Sequence, residues 1–291
     1  MLRISHYHRP ATIDQAIGLL LQPGATVVGG GTDLLVNPRF SNGIEAVVDL
    51  GLLGLDYITR ANDQLHIGAS TVMREVARSP LVRSLADGIV ARGAAVCGSP
   101  NNRNLATIGG NLGSALPSAD TPPPLLALDA SVVLVGPSGL RRLTLPQYFQ
   151  GPAQTAREPG EIIMELTIPI CTVATRGGFY KLTRTADDIA ITNAAATLEV
   201  VGQSIVGARL AVGAVAPTPL RVIEAEAFLV GKPPSPQVLE AAAAMAAAAA
   251  RPITDHRASA DYRRRMAQVC ALRALNQAAG LSPQGRELDH G

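Results

Sequence analysis

Residues Val27 to Asn37 read VVGGGTDLLVN: a strand-like start, then Gly29, Gly30 and Gly31 in succession, then Thr32, Asp33 and Leu34. Glycine reaches positive φ and lets a ligand approach the backbone without a Cβ in the way. Successive N–H groups in such a loop make an anion-binding nest, and the Thr32 hydroxyl adds a donor. That chemistry suits phosphate. It is not the G-x-G-x-x-G/A dinucleotide fingerprint, because Leu34 stands where the third small residue belongs, and no Gly-Lys-Ser/Thr follows as in a Walker A loop. A tight strand-to-loop turn packed against a neighbour is the competing explanation of the glycines.

Two further stretches carry polar chemistry. SPNNRNLATIGGNLGSALPSADTPPPLLALDA, from Ser99 to Ala130, holds the pair Gly109-Gly110 between Thr107 and Asn111, then Asp120 and a triple proline. Long irregular segments inside compact chains are usually functional. Two glycine-rich loops could hold the two phosphates of a dinucleotide from both sides, with Asp120 accepting from ribose hydroxyls. FYKLTRTADDIAITN, from Phe179 to Asn193, offers Tyr180 to cover an aromatic ring and Lys181 to donate to a ring carbonyl. Asp187-Asp188 reads as a turn cap.

These residues need elements to hold them. Thr12-Ile-Asp-Gln15 reads as a capping box opening a helix that Pro23-Gly24 ends. Ala25 to Val28 reads as a short buried strand and Ala46 to Leu50 as another, which makes a small α/β unit over about residues 1–55. Strands at Leu65–Ala69, Ser131–Gly136 and Ile162–Pro169, with a turn at Pro137-Ser-Gly, predict a larger α+β unit over 56–172. From 175 to 280, strands near Phe179–Leu182, Ala194–Val201 and Ala208–Val215 predict a three-stranded antiparallel sheet, with a turn at Gly202-Gln203. Two helices follow, one from Val238 across the alanine tract and one from about Ala260 to Ala279; the tail after Gly280 is polar and expected to be loose.

Composition bounds the rest. Hydrophobic residues are 47% of 291, aromatics 3%, and Trp is absent, so a large core must be aliphatic. Lys plus Arg is 25 against 23 Asp plus Glu, which gives no general pull toward nucleic acid or membrane. Cys97, Cys171 and Cys270 are far apart and form no C-x-x-C, so no metal centre held by this chain is expected, and the usage suits a reducing cytoplasm. The start MLRISHYHRP has no apolar signal core, and Ala241–Ala250 is too short to span a bilayer.

The combination of VVGGGTDLL, NLATIGGNLGSALPSADTPPPLLALDA and FYKLTRTADDIAITNAAA, in that order, resembles the flavin-binding medium subunit of the xanthine dehydrogenase family of molybdenum hydroxylases. The resemblance implies an α+β fold: a PCMH-type, two-part FAD-binding domain followed by the C-terminal sheet with helices. It implies FAD as cofactor, with Val27, Val28, Gly29, Gly30, Gly31, Thr32, Asp33 and Leu34 wrapping the pyrophosphate. Thr107, Ile108, Gly109, Gly110 and Asn111 would lie on its other side. Asp120 would hold the ribose or ribityl region, and Cys97, Ile163, Lys181 and Tyr180 would stand near the isoalloxazine. No catalytic or metal-ligating residue is implied here. The implied partners are a molybdenum cofactor-binding large subunit and a [2Fe–2S] small subunit, as a heterotrimer that dimerises.

One branch, the 4-hydroxybenzoyl-CoA reductases, carries a cysteine-rich insertion after the Gly-Gly-Asn loop for a [4Fe–4S] cluster. This chain runs from Asn111 through Leu112-Gly-Ser-Ala to Pro117 without a cysteine, so an ordinary hydroxylase or dehydrogenase is expected. The competing classes are a stand-alone flavin enzyme, which would need a substrate or nicotinamide site of its own, a flavin-binding sensor without electron transfer, and a scaffold whose loops bind nothing.

Overall fold

The structure is a computed structural model that describes residues 4–171 and 174–281. The boundary expected at 172–175 and the tail expected after Gly280 fall largely outside the described residues.

The chain begins with β1 (His6–His8), α1 (Ile13–Leu20), β2 (Ala25–Val28), the single-turn α2 (Pro38–Ser41) and β3 (Ala46–Asp49). Thr12 caps α1 by accepting from the Gln15 N–H, while the Gln15 side chain reaches one residue further back, to the Ala11 N–H. The three strands are parallel in the order β1-β3-β2. β2 is therefore an edge strand, and it is half-buried rather than buried; Val47 and Val48 of the central β3 carry the burial.

β4 (Ile58–Ala61) and β5 (Gln64–Gly68) open the second sheet. Short helices follow: α3 (Met73–Arg78), α4 (Pro80–Arg83), α5 (Ile89–Ala95), α6 (Pro100–Arg103), α7 (Ile108–Gly113) and α8 (Pro122–Ala127). Next come β6 (Ser131–Gly136), β7 (Gly139–Thr144), α9 (Leu145–Tyr148), the small pair β8 (Phe149–Gly151) and β9 (Gln154–Thr155), and β10 (Ile162–Pro169). The sheet order is β4-β5-β10-β6-β7. β6 and β10 fall where their β-branched runs place them. β7, GLRRLT, carries no strand signal in the sequence, because its largely exposed residues lack an apolar alternation. The segment from Ser99 to Ala130 is not an irregular loop. Ser99 and Thr107 cap α6 and α7 through their side chains, and Pro122–Pro124 supply the first turn of α8, where a missing N–H costs nothing.

The third sheet holds β11 (Thr175–Leu182), β12 (Thr192–Val201), β13 (Ser204–Gly213) and a two-residue β14 (Leu220–Arg221), all antiparallel. The short β14 adds an edge to the three strands expected. α10 (Ile223–Leu229), α11 (Pro236–Ala249) and α12 (Ala260–Ala278) cover this sheet, and the core between them is built from alanine, leucine and valine. A Cβ on Gly177 would stand 2.1 Å from the Ala86 carbonyl oxygen, and one on Gly178 1.9 Å from that of Ala274. β11 thus passes in backbone contact between the second unit and α12. Gly178→Val is expected to cost about 3 kcal/mol or more, read as a large drop in thermal midpoint of the purified chain; an unchanged midpoint contradicts this packing.

Candidate functional site

The first glycine loop leaves the C-terminal end of β2. Of its three glycines, Gly31 has a positive φ, +70°, and turns the chain so that Leu35 N–H reaches Gly31 O at 3.0 Å and Asn37 N–H reaches Asp33 O at 3.0 Å. Among the described residues, no N–H from Gly29 to Leu34 has a hydrogen-bond partner in the protein. Six consecutive free donors beside a cleft are the backbone signature of an anion site.

The second glycine loop is different. Ile108 N–H donates to Thr71 O, Gly109 N–H to Ala69 O, Gly110 N–H to Thr107 Oγ1 and Asn111 N–H to Thr107 O. Its donors are consumed by the fold, so it does not offer the second set of phosphate-binding amides that the sequence suggests. Ile108 and Gly109 are buried, and a Cβ on Gly109 would stand 2.6 Å from that of Ala69. The loop instead braces the first. A Cβ on Gly30 would lie 1.8 Å from Leu105 O, one on Gly29 would lie 2.6 Å from Thr107 Oγ1, and Ser114 Oγ donates to Asp33 Oδ2 at 2.5 Å.

The cleft beside these loops has a volume of about 410 Å³, within the range of small-molecule sites. It is lined by Thr26 through Leu34, Val36 and Phe40 on one side, and by Cys97, Gly98, Asn102, Ala106, Thr107, Gly110, Asn111, Gly113, Ser114 and Leu116 on the other. Ser118, Ala119, Asp120 and Lys181 also line it, as do Arg157 and the segment Asp187, Asp188 and Ile189.

Within the cleft's lining is an ion pair. Lys181 Nζ donates to Asp120 Oδ2 at 2.7 Å and to Val96 O at 2.9 Å, and both side chains are under a tenth exposed. Asn193 Nδ2 donates to Asp120 Oδ1 at 3.1 Å. Burial pushes the Asp120 carboxyl up to about 6, with Lys181 and then Asn193 pulling against it. Both Asp120 oxygens thus already have protein partners, which fits support of Lys181 better than a free acceptor for ribose. Burial, reinforced by Asp120, pushes the Cys97 thiol up to about 12, so it is a neutral wall and not a nucleophile.

Two expected flavin neighbours are not among the residues lining the cleft. Ile163 sits in the main core, its Cδ1 3.9 Å from where a Cβ on Gly113 of the cleft lining would stand. Tyr180 points to the opposite face of β11 from Lys181, as strand alternation requires, and packs in the C-terminal core beneath the Arg273 guanidinium, 4.5 Å from its ring centroid. Tyr180→Phe is therefore expected to leave FAD affinity within about twofold, because the ring stays and only a contact outside the cleft is lost; a tenfold loss in a fluorescence titration contradicts this placement. Arg157 and Ser114 line the cleft without any sequence signal, since each is brought there by tertiary packing. The Asp187-Asp188 pair reads in the sequence only as a turn cap.

The free N–H row meets the requirement of a pyrophosphate: donors without competing partners, reachable past glycine backbone. Among the described residues, no helix is long and apolar enough to cross a membrane.

Known proteins resemble this chain over nearly its whole length. Residues 2–171 match the family described as FAD binding domain in molybdopterin dehydrogenase, and residues 178–278 match the CO dehydrogenase flavoprotein C-terminal domain. The chain is 33% identical to the carbon monoxide dehydrogenase medium chain of Hydrogenophaga pseudoflava over 277 residues, 94% of this chain and 96% of that one. It is 31% identical to the xanthine dehydrogenase FAD-binding subunit of Escherichia coli O157:H7, over 96% of this chain and 97% of that one. The solved structure of reconstituted CO dehydrogenase from Oligotropha carboxidovorans superimposes with a TM-score of 0.92 at 32% identity, covering 97% of this chain and 100% of that one. This chain belongs to the FAD-binding medium subunits of the molybdenum hydroxylases, the xanthine dehydrogenase family.

Proposed function

We propose that this chain holds FAD in the cleft, takes electrons from a [2Fe–2S] small subunit and passes them to an external acceptor, while a molybdenum cofactor-binding large subunit oxidises the substrate. The observation that carries the reading is the row of free N–H groups from Gly29 to Leu34 beside a cleft that also takes in the Asp120–Lys181 pair. FAD, when bound, supplies the capacity to accept and release electrons one or two at a time; the protein supplies orientation and electrostatics.

The residues then divide the work. The Gly29–Leu34 amides hold the pyrophosphate, and Thr107, Gly110 and Asn111 form the facing wall. Lys181, fixed by Val96 O and Asp120, has one N–H left to direct into the cleft. Cys97 keeps that end apolar. We assign residues 1–55 and 56–172 to the two parts of the flavin domain and 175–280 to the C-terminal domain. The assembly is proposed to be a dimer of such heterotrimers in the cytoplasm. A tag on this chain is expected to co-purify FAD, molybdenum and iron together, with anaerobic substrate addition bleaching the flavin absorbance. Co-purified flavin that no partner reduces would contradict the relay.

A further inference from the structure

Asn193 is fully buried and lies on β12, in the C-terminal sheet, well apart in sequence from both glycine loops. Its amide nitrogen bridges Ala119 O and Asp120 Oδ1, each at 3.1 Å. Its Oδ1 has no hydrogen-bond partner, and a Cβ on Gly213, its cross-strand neighbour, would come within 2.2 Å of it. Turning the amide over would set Oδ1 against two acceptor oxygens, so the orientation seen is the one that donates toward Asp120. An orphaned buried oxygen is costly, and it is tolerated here for the sake of the two donations.

We propose that Asn193 is a positioning residue of the flavin site: its amide holds the Asp120 carboxylate turned toward Lys181, so that the C-terminal sheet sets the charge in the cleft. The inference rests on the assignment of Asp120 and Lys181 to the flavin cleft. Lys181 faces Asp120 from β11, and the Cys97 thiol stands beside both; Asp33 and Arg103 bear on that thiol from the flanking loops, and Arg157, Asp187 and Asp188 line the same cleft. None of these replaces the donor that Asn193 supplies.

The test compares Asn193→Leu, which removes the donor, with Asn193→Asp, which keeps the shape and reverses the chemistry. Asp120 ionisation is read by carbon-13 NMR of the aspartate carboxyls in the full chain without FAD, its signal being the one lost in Asp120→Asn. FAD dissociation constants are measured by fluorescence over about pH 5 to 9. Asn193→Leu is expected to move the Asp120 midpoint upward from about 6 by about one pH unit. Asn193→Asp is expected to move it further, because two adjacent carboxyls then share a proton. The pH step in FAD affinity should move with it. An unmoved midpoint, with FAD affinity lowered equally at every pH, overturns the proposal in favour of plain packing. A midpoint that moves while FAD affinity ignores both it and Lys181→Met overturns it differently, by removing the pair from the flavin site.

Discussion

Gly30→Val abolishes flavin retention. The expectation from sequence alone is that a branched side chain blocks the approach of phosphate to the loop and leaves the rest of the chain intact. The structure gives a different cause. A Cβ at this position would sit 1.8 Å from Leu105 O, 2.4 Å from Leu105 C and 2.8 Å from Ala106 N. These are backbone atoms of the bracing loop and cannot rotate aside, so the two loops must separate. The row of free N–H groups then loses its curvature, and the chain loses about 3 kcal/mol or more of stability. The measurement is FAD bound after desalting, together with the thermal midpoint. Gly18→Ala is the control: it lies within α1, nothing stands within 4 Å of the new Cβ, and it should be neutral or slightly stabilising. Full flavin occupancy in Gly30→Val would mean that the loops are not packed as described. Gly110 behaves differently, since a Cβ there meets only Thr107 Oγ1, at 2.9 Å, and Gly110 itself lines the cleft.

Lys181→Met also removes FAD, and its effect on stability depends on pH. Removing Lys181 leaves the buried Asp120 carboxylate with Asn193 as its remaining donor, a loss of up to about 3–5 kcal/mol where Asp120 is ionised. The sign follows from proton linkage. Asp120 already has a folded-state value raised to about 6. The stability this group contributes is complete below its ordinary carboxylate range and is lost as pH rises through about 6. Without Lys181 the folded value rises further, so the loss continues to higher pH. The variant should melt close to the wild type at about pH 5 and well below it at about pH 8. A melting difference that is the same at both values would contradict the pairing of Lys181 with Asp120.

The larger elements were legible because their signals are local. Ser131–Gly136 and Ile162–Pro169 are β-branched runs, and the alanine-rich stretch before Arg251 has few alternatives to a helix. The sequence marks both glycine loops, which border one cleft, but not which of them keeps its N–H groups free. Whether a backbone N–H is free depends on what packs against it. Nothing local in Thr107-Ile-Gly-Gly-Asn says that Thr71, Ala69 and Thr107 itself will take those donors. The faces of Ile163 and Tyr180 depend on the register of β10 and β11 within their sheets, which is a tertiary property. Asn193 was illegible for the same reason: a buried amide gains meaning only from the carboxylate opposite it, 73 residues away.

The most direct measurement is a visible spectrum of the purified chain after incubation with FAD and desalting, followed by acid release and identification of the flavin. The same is done on the complex captured through a tag on this chain. Retained FAD at about one per chain, the stoichiometry of a single shared cleft, is expected, together with its loss in Gly30→Val. A chain and a complex that both emerge without flavin would contradict it.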